Sequence, residues 1–66
     1  MITEIGIIAG EIWHFLDERE FAWLDDIVKG IDKPKEHILM SIGWLAREGH
    51  ILLHKEDKGF KVSLRK

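Results

Sequence analysis

Apolar side chains recur at helical spacing through the first quarter of the chain, where Ile5, Ile8, Ala9, Ile12 and Leu16 share one face. With Thr3 as N-cap and Glu4 in the first turn, this spacing predicts helix 1 over about residues 3 to 17. Phe21, Ala22 and Trp23 then form a short β-prone segment, after which Leu24, Ile27, Val28 and Ile31 restart a helical stripe that closes near Gly30. Helix 2 is therefore short. Pro34 suits the first position of helix 3, because its missing N–H would have no partner there. Helix 3 is expected to run to Glu48 and stop at Gly49, burying Ile38, Ile42 and Leu45 with Ser41 and Ala46 on the flanks. Met40, Gly43, Trp44 and Arg47 then face outward together.

Past Gly49 the period changes from helical to two. Ile51 and Leu53 alternate with His50, Leu52 and His54, and Phe60, Val62 and Leu64 alternate with Lys61, Ser63 and Arg65. Between these segments Asp57, Lys58 and Gly59 suit a type I turn closed by a glycine of positive φ. The pattern is a hairpin whose tip is expected to carry Lys55, Lys58 and Lys61. Helix, short strand, helix, tight turn, helix and hairpin is the element order of a winged helix-turn-helix, an α+β fold in which three helices pack against a C-terminal β-hairpin wing. The whole chain, residues 1–66, is read as one such domain.

Charge adds a division that the net value of -2 hides. Residues 1 to 32 hold two bases against eight acids, 2 - 8 = -6, whereas residues 33 to 66 hold eight bases against four acids, 8 - 4 = +4. Such asymmetry suits one face offered to a polyanion and another kept away from it. At 66 residues the core is small, because a chain of this size buries only about 60% of its unfolded surface, and a second subunit would add to it. Gly6 and Gly10 lie on one flank of helix 1 beside Trp13, where they make room either for a side chain of the hairpin or for a second copy of helix 1.

The absence of cysteine excludes a disulfide framework and thiolate metal sites, and leaves the cytoplasm as the expected location. Apolar runs such as Ile7-Ile8-Ala9 fall far short of the roughly 20 residues that span a bilayer, so no membrane association is expected. No catalytic set emerges. Asp25 and Asp26 are adjacent in a first helical turn, where they suit the helix dipole and point in different directions. His50 and His54 would lie about 13 Å apart on a strand, too far to chelate one ion. The expectation is a non-enzymatic chain with no cofactor, no metal and no small-molecule substrate.

The stretch "DKPKEHILMSIGWLAREGHILL" resembles small winged helix-turn-helix proteins, and "GWLAREG" is similar to a little-characterised family whose members are essentially this one domain. Trp23 departs from the pattern, standing where winged helices often cap helix 2 with Ser or Thr. The resemblance implies a DNA-binding module of transcription-regulator type, with helix 3 in the major groove of double-stranded DNA and the wing on flanking phosphates. Lys33, Lys35, His37, Ser41, Arg47, Lys55, Lys58 and Lys61 are the candidate contacts, with His37 and Ser41 placed to hydrogen-bond bases. Base reading has thin support, since the chain has no Asn or Gln and helix 3 holds a single Arg at its C-terminal end. The alternative is a dimerising protein-interaction winged helix that uses Gly6, Gly10, Trp13, Met40 and Trp44. Trp44 would then be a contact residue rather than one folded back over Gly43 or onto the hairpin.

Overall fold

The computed structural model describes residues 1–65. In chain order the elements are α1 (Ile2–Asp17), β1 (Ala22–Trp23), α2 (Leu24–Gly30), α3 (Lys35–Arg47), β2 (Ile51–Glu56) and β3 (Gly59–Leu64). The strands form one antiparallel sheet in the order β1-β3-β2. This is the α+β winged-helix architecture expected from the pattern.

The helical stripes meet in a single core. Ile8, Ala9, Ile12 and Leu16 of α1 pack with Ile27 and Ile31 at the end of α2 and with Ile38, Ile42 and Leu45 of α3. Ala22, Ile51 and Val62 close this core from the sheet. At the far end of α1 the Phe15 ring lies on Gly30, and a Cβ there would stand 2.6 Å from Phe15 Cε2. The Arg19 guanidinium lies over the same ring, 3.9 Å from its centroid, and donates to the Phe15 carbonyl.

Element ends differ from expectation by a residue or two. Thr3 lies inside the first turn of α1, and Met1 is the N-cap without a side-chain capping bond; Ile5 N–H already bonds the Met1 carbonyl at 3.0 Å. Pro34 is the N-cap of α3 rather than its first helical residue, with ψ 136° and its carbonyl accepting the Ile38 N–H at 3.1 Å. Trp23 caps α2 without a side-chain bond. Its placement comes instead from the strand: Ala22 pairs with Val62 and Trp23 with Lys61, so α2 starts from a backbone already held in the sheet.

α3 ends at Arg47, and Gly49 adopts φ +79°. Its N–H bonds the Ala46 carbonyl at 3.1 Å and the next N–H, of His50, bonds the Leu45 carbonyl at 2.9 Å. This is a Schellman motif, which satisfies carbonyls that a helix end leaves open and reverses the chain. Two residues later Ile51 is buried and β2 has begun. The hairpin turns at Asp57 and Lys58, both of negative φ, followed by Gly59 at φ +137°.

Burial of the sheet is partial, and one of the two readings of the α1 glycines is corrected. The inner sheet face is buried only at its base, by Ala22, Ile51 and Val62; Leu53 and Phe60 share that face but are 45% and 43% exposed, because the strands run out beyond the helices. Gly6 and Gly10 make no room for the hairpin, since a Cβ at either would meet nothing within 4 Å.

Gly49→Ala places a Cβ in a left-handed conformation that costs about 1–2 kcal/mol. The added atom itself meets only Arg65 Nη1 at 3.5 Å, an ordinary contact, so strain sets the loss. Urea unfolding is expected to give a destabilisation in that range with unchanged m value; a change smaller than about 0.5 kcal/mol would contradict this account of the helix stop.

Candidate functional site

The surface to consider is the outer side of α3, the wing, and the flank of α1 that adjoins them. Ser41 does not belong to it. Its side chain is fully buried, and its hydroxyl donates to the His37 carbonyl at 2.8 Å and lies 3.2 Å from the Ile5 carbonyl. A hydroxyl at the α1–α3 crossing that is committed to backbone carbonyls cannot read a base, so its place in the nucleic-acid set is withdrawn. His37 is half-buried and shares a small recess with Glu4, Ile7, Ile8 and Lys33. The Glu4 carboxyl is held below the usual carboxylate range chiefly by its bond with the Met1 amine, at 2.9 Å, with a small contribution from His37. A carboxylate therefore stands beside the one histidine expected to meet DNA.

The basic candidates divide into two groups. Lys33 lies 3.4 Å from Glu11 Oε2, an atom shielded from water that has no hydrogen bond of good geometry, so the pair is a charge contact only. Lys61 is not at the wing tip. It pairs across the hairpin with His54, lies 3.7 Å from Glu56 on the outer sheet face, and covers the Phe21 ring at 4.5 Å. Exposed pairs of this kind contribute about 0–1 kcal/mol and do not immobilise a lysine. They do lower the positive field it offers. Lys35, Arg47, Lys55 and Lys58 are exposed and have no ion pair among the described residues.

Neighbouring acids offset that second group. Along residues 35–48, Lys35 and Arg47 are matched by Glu36 and Glu48, 2 - 2 = 0, and along residues 55–58, Lys55 and Lys58 are matched by Glu56 and Asp57, 2 - 2 = 0. Lys58 also shares a surface recess with Asp25 and Asp26 at the start of α2. The excess of +4 over residues 33–66 therefore rests on Lys33, Lys61, Arg65 and Lys66, of which Lys33 and Lys61 each have a carboxylate within 4 Å.

What α3 presents outward is apolar. Met40 and Trp44 are 43% and 47% exposed, with Gly43 between them and Leu39 exposed one position before Met40. Trp44 lies near His50, 6.3 Å between ring centroids, and about half of it stays in solvent. It also forms one wall of an apolar recess of about 290 Å³ completed by Ile2, Ile5 and Gly6. Gly6 and Trp44 are thus brought together, Met40 lies one turn from Trp44, and Gly10 and the exposed Trp13 continue the same flank of α1.

Neither Asp25–Asp26 nor the histidines assemble a reactive centre. His50 precedes β2 while His54 lies on it, and no group of three metal-ligating side chains occurs among the described residues.

A family model described as "Winged helix-turn-helix domain (DUF2582)" matches residues 1–64. The chain belongs to this family. A relative at 34% identity over 67 residues, covering 98% of this chain and 96% of its own length, is "Uncharacterized protein MJ1608" of Methanocaldococcus jannaschii. The solution NMR structure of protein BT2368 from Bacteroides thetaiotaomicron is similar in fold, with TM-score 0.80 at 22% identity over 94% of this chain and 76% of that one. The winged helix-turn-helix assignment thus rests on the family match and on the fold together, whereas the leucines at the β2 edge are absent from the sites expected from the sequence. Leu52 next to Leu53 was the available signal, because two adjacent apolar residues in an alternating segment point to both faces at once.

Ser41→Ala removes the one hydroxyl donor shared between the His37 and Ile5 carbonyls at the α1–α3 crossing and is expected to cost about 1 kcal/mol in urea unfolding. Unchanged stability, with any nucleic-acid affinity weakened instead, would return Ser41 to the surface role.

Proposed function

We propose that this winged helix is a protein-contact module whose α3 presents its outer face to another protein surface rather than to the major groove. The observation that carries the reading is the run of Met40, Gly43 and Trp44 at the centre of that face, with the charges at either end cancelling in pairs. Exposed apolar patches of this kind mark protein contacts. Methionine and tryptophan suit them, the first by adapting its shape and the second by burying a large ring. The recess formed by Ile2, Ile5, Gly6 and Trp44 gives the patch a concave part, and Trp13 extends it. On this reading the chain is a single non-catalytic domain that works in the cytoplasm without a metal or cofactor.

The second reading is a DNA-binding module of transcription-regulator type, favoured by the winged helix-turn-helix family itself and by Lys35, Arg47, Lys55 and Lys58, which are exposed and have no ion pair among the described residues. Four phosphate contacts at about -0.9 each give a log-log salt slope of about -3.6. With helix 3 carrying no Asn or Gln, such binding would track the backbone and not the sequence.

Fluorescence anisotropy of labelled random duplex DNA, titrated with the full chain at low and at moderate salt, separates the two. The protein-contact reading predicts no saturable binding at either salt. Binding that weakens with a slope near the value above would replace it with the DNA reading.

A further inference from the structure

In the sheet order β1-β3-β2, β3 has a neighbour on each side and β2 has one only. The direction of its backbone groups follows from the register. Arg65 N–H donates to the His50 carbonyl at 3.0 Å, so His50, and by antiparallel alternation Leu52, His54 and Glu56, turn their N–H and C=O toward β3. Ile51, Leu53 and Lys55 turn theirs to the open side. Proteins usually blunt such an edge with proline, a bulge or several charges. β2 has no proline, its register with β3 is unbroken from Ile51 to Glu56, and its two charged residues are confined to the tip end.

The side chains along this edge are unusual in a second respect. Leu52 and Leu53 point to opposite faces of the sheet and are 51% and 45% exposed. A globular surface laid against one face would cover one leucine and leave the other wet. A strand added at the edge carries side chains on both faces and covers both.

We propose that β2 is a dimerisation edge, pairing antiparallel with β2 of a second copy about a two-fold axis at Leu53 to give one continuous six-stranded sheet. Self-complementarity selects a second copy as the occupant. With Leu53 opposite Leu53 of the second copy, Ile51 faces its Lys55 and Lys55 its Ile51, so all three outward residues on each strand pair and six hydrogen bonds form. Slipping by two residues in either direction leaves four. In this register the outer face sets Leu52 against the second copy's His54, and Glu56 against its His50. Lys55 meets an isoleucine, so no like charges face each other. Leu53, which extends beyond this chain's helices, then packs against its counterpart across the axis, and Phe60 joins the row of Lys55 and the second copy's Ile51. An isologous contact of this kind closes at two subunits. The edge is separate from the α3 face, so failure of either proposal leaves the other standing.

Sedimentation equilibrium of the full chain is expected to give twice the 7.7 kDa chain mass. Leu53→Lys, at a position already exposed in the single chain, is expected to return 7.7 kDa with an unchanged circular dichroism spectrum. Because the chain has no cysteine, Leu53→Cys gives a direct positional readout: mild oxidation is expected to yield a covalent dimer, whereas Lys58→Cys at the turn does not. Amide exchange provides a measurement on the unmodified chain, with the Ile51, Leu53 and Lys55 N–H groups slowed together. A 7.7 kDa species at high concentration, a dimer that Leu53→Lys leaves intact, or rapid exchange at those three amides in a dimer would each overturn the proposal.

Discussion

The reversal at Gly49 is the constraint on which the rest of the molecule depends. One residue in the left-handed region, with the Gly49 and His50 N–H groups bonded to the carbonyls of Ala46 and Leu45, ends α3 and redirects the chain. Ile51 thereby enters the core against the stripe that α3 has just supplied. The hairpin then returns β3 through the centre of the sheet, where Val62 is buried and Lys61 and Val62 pair with β1. That pairing in turn sets the start of α2, which has no capping side chain of its own. Helix end, hairpin, strand pairing and the following helix start are one mechanical sequence, and an error at the first step propagates through all of them.

The same scaffold leaves the surface of α3 undetermined, and this is where function is decided. The inner side of α3 is occupied by Ile38, Ser41, Ile42 and Leu45, with the Ser41 hydroxyl tied to backbone where the helices cross. The outer side carries Met40, Gly43 and Trp44 between balanced charges. A winged helix ordinarily directs this side at a polyanion, which rewards an excess of positive charge and polar side chains able to match base edges. The proposed protein contact draws instead on the desolvation of a methionine and a tryptophan, which needs an apolar counterpart.

Much of the fold was legible in the sequence because it rests on periodicity and on a few backbone specialists. The apolar stripes of α1 and α3, the β-prone residues before α2, and the switch of period at Gly49 all have local causes. The site was less so. A serine beside an apolar stripe reads equally as a surface hydroxyl or a buried one, and only the approach of the Ile5 carbonyl decides between them. Lys61 looked like a tip residue until strand register placed it across from His54 and beside Glu56. Alternation alone marks Leu53 and Phe60 as inward, but how far the helices reach along the sheet is a property of three dimensions. Gly6 and Gly10 suggested close packing, and both face open space within the single chain.

The central claim concerns the outer face of α3, and amide chemical-shift mapping tests it residue by residue. Uniformly labelled full chain is titrated with a mixed-sequence DNA duplex at low salt, where electrostatic contacts are strongest. The account predicts that the resonances of residues 35 to 47 stay where they are in the free protein. Saturable displacement of those resonances, strongest at Met40, Gly43 and Trp44, would place α3 against the duplex and contradict it.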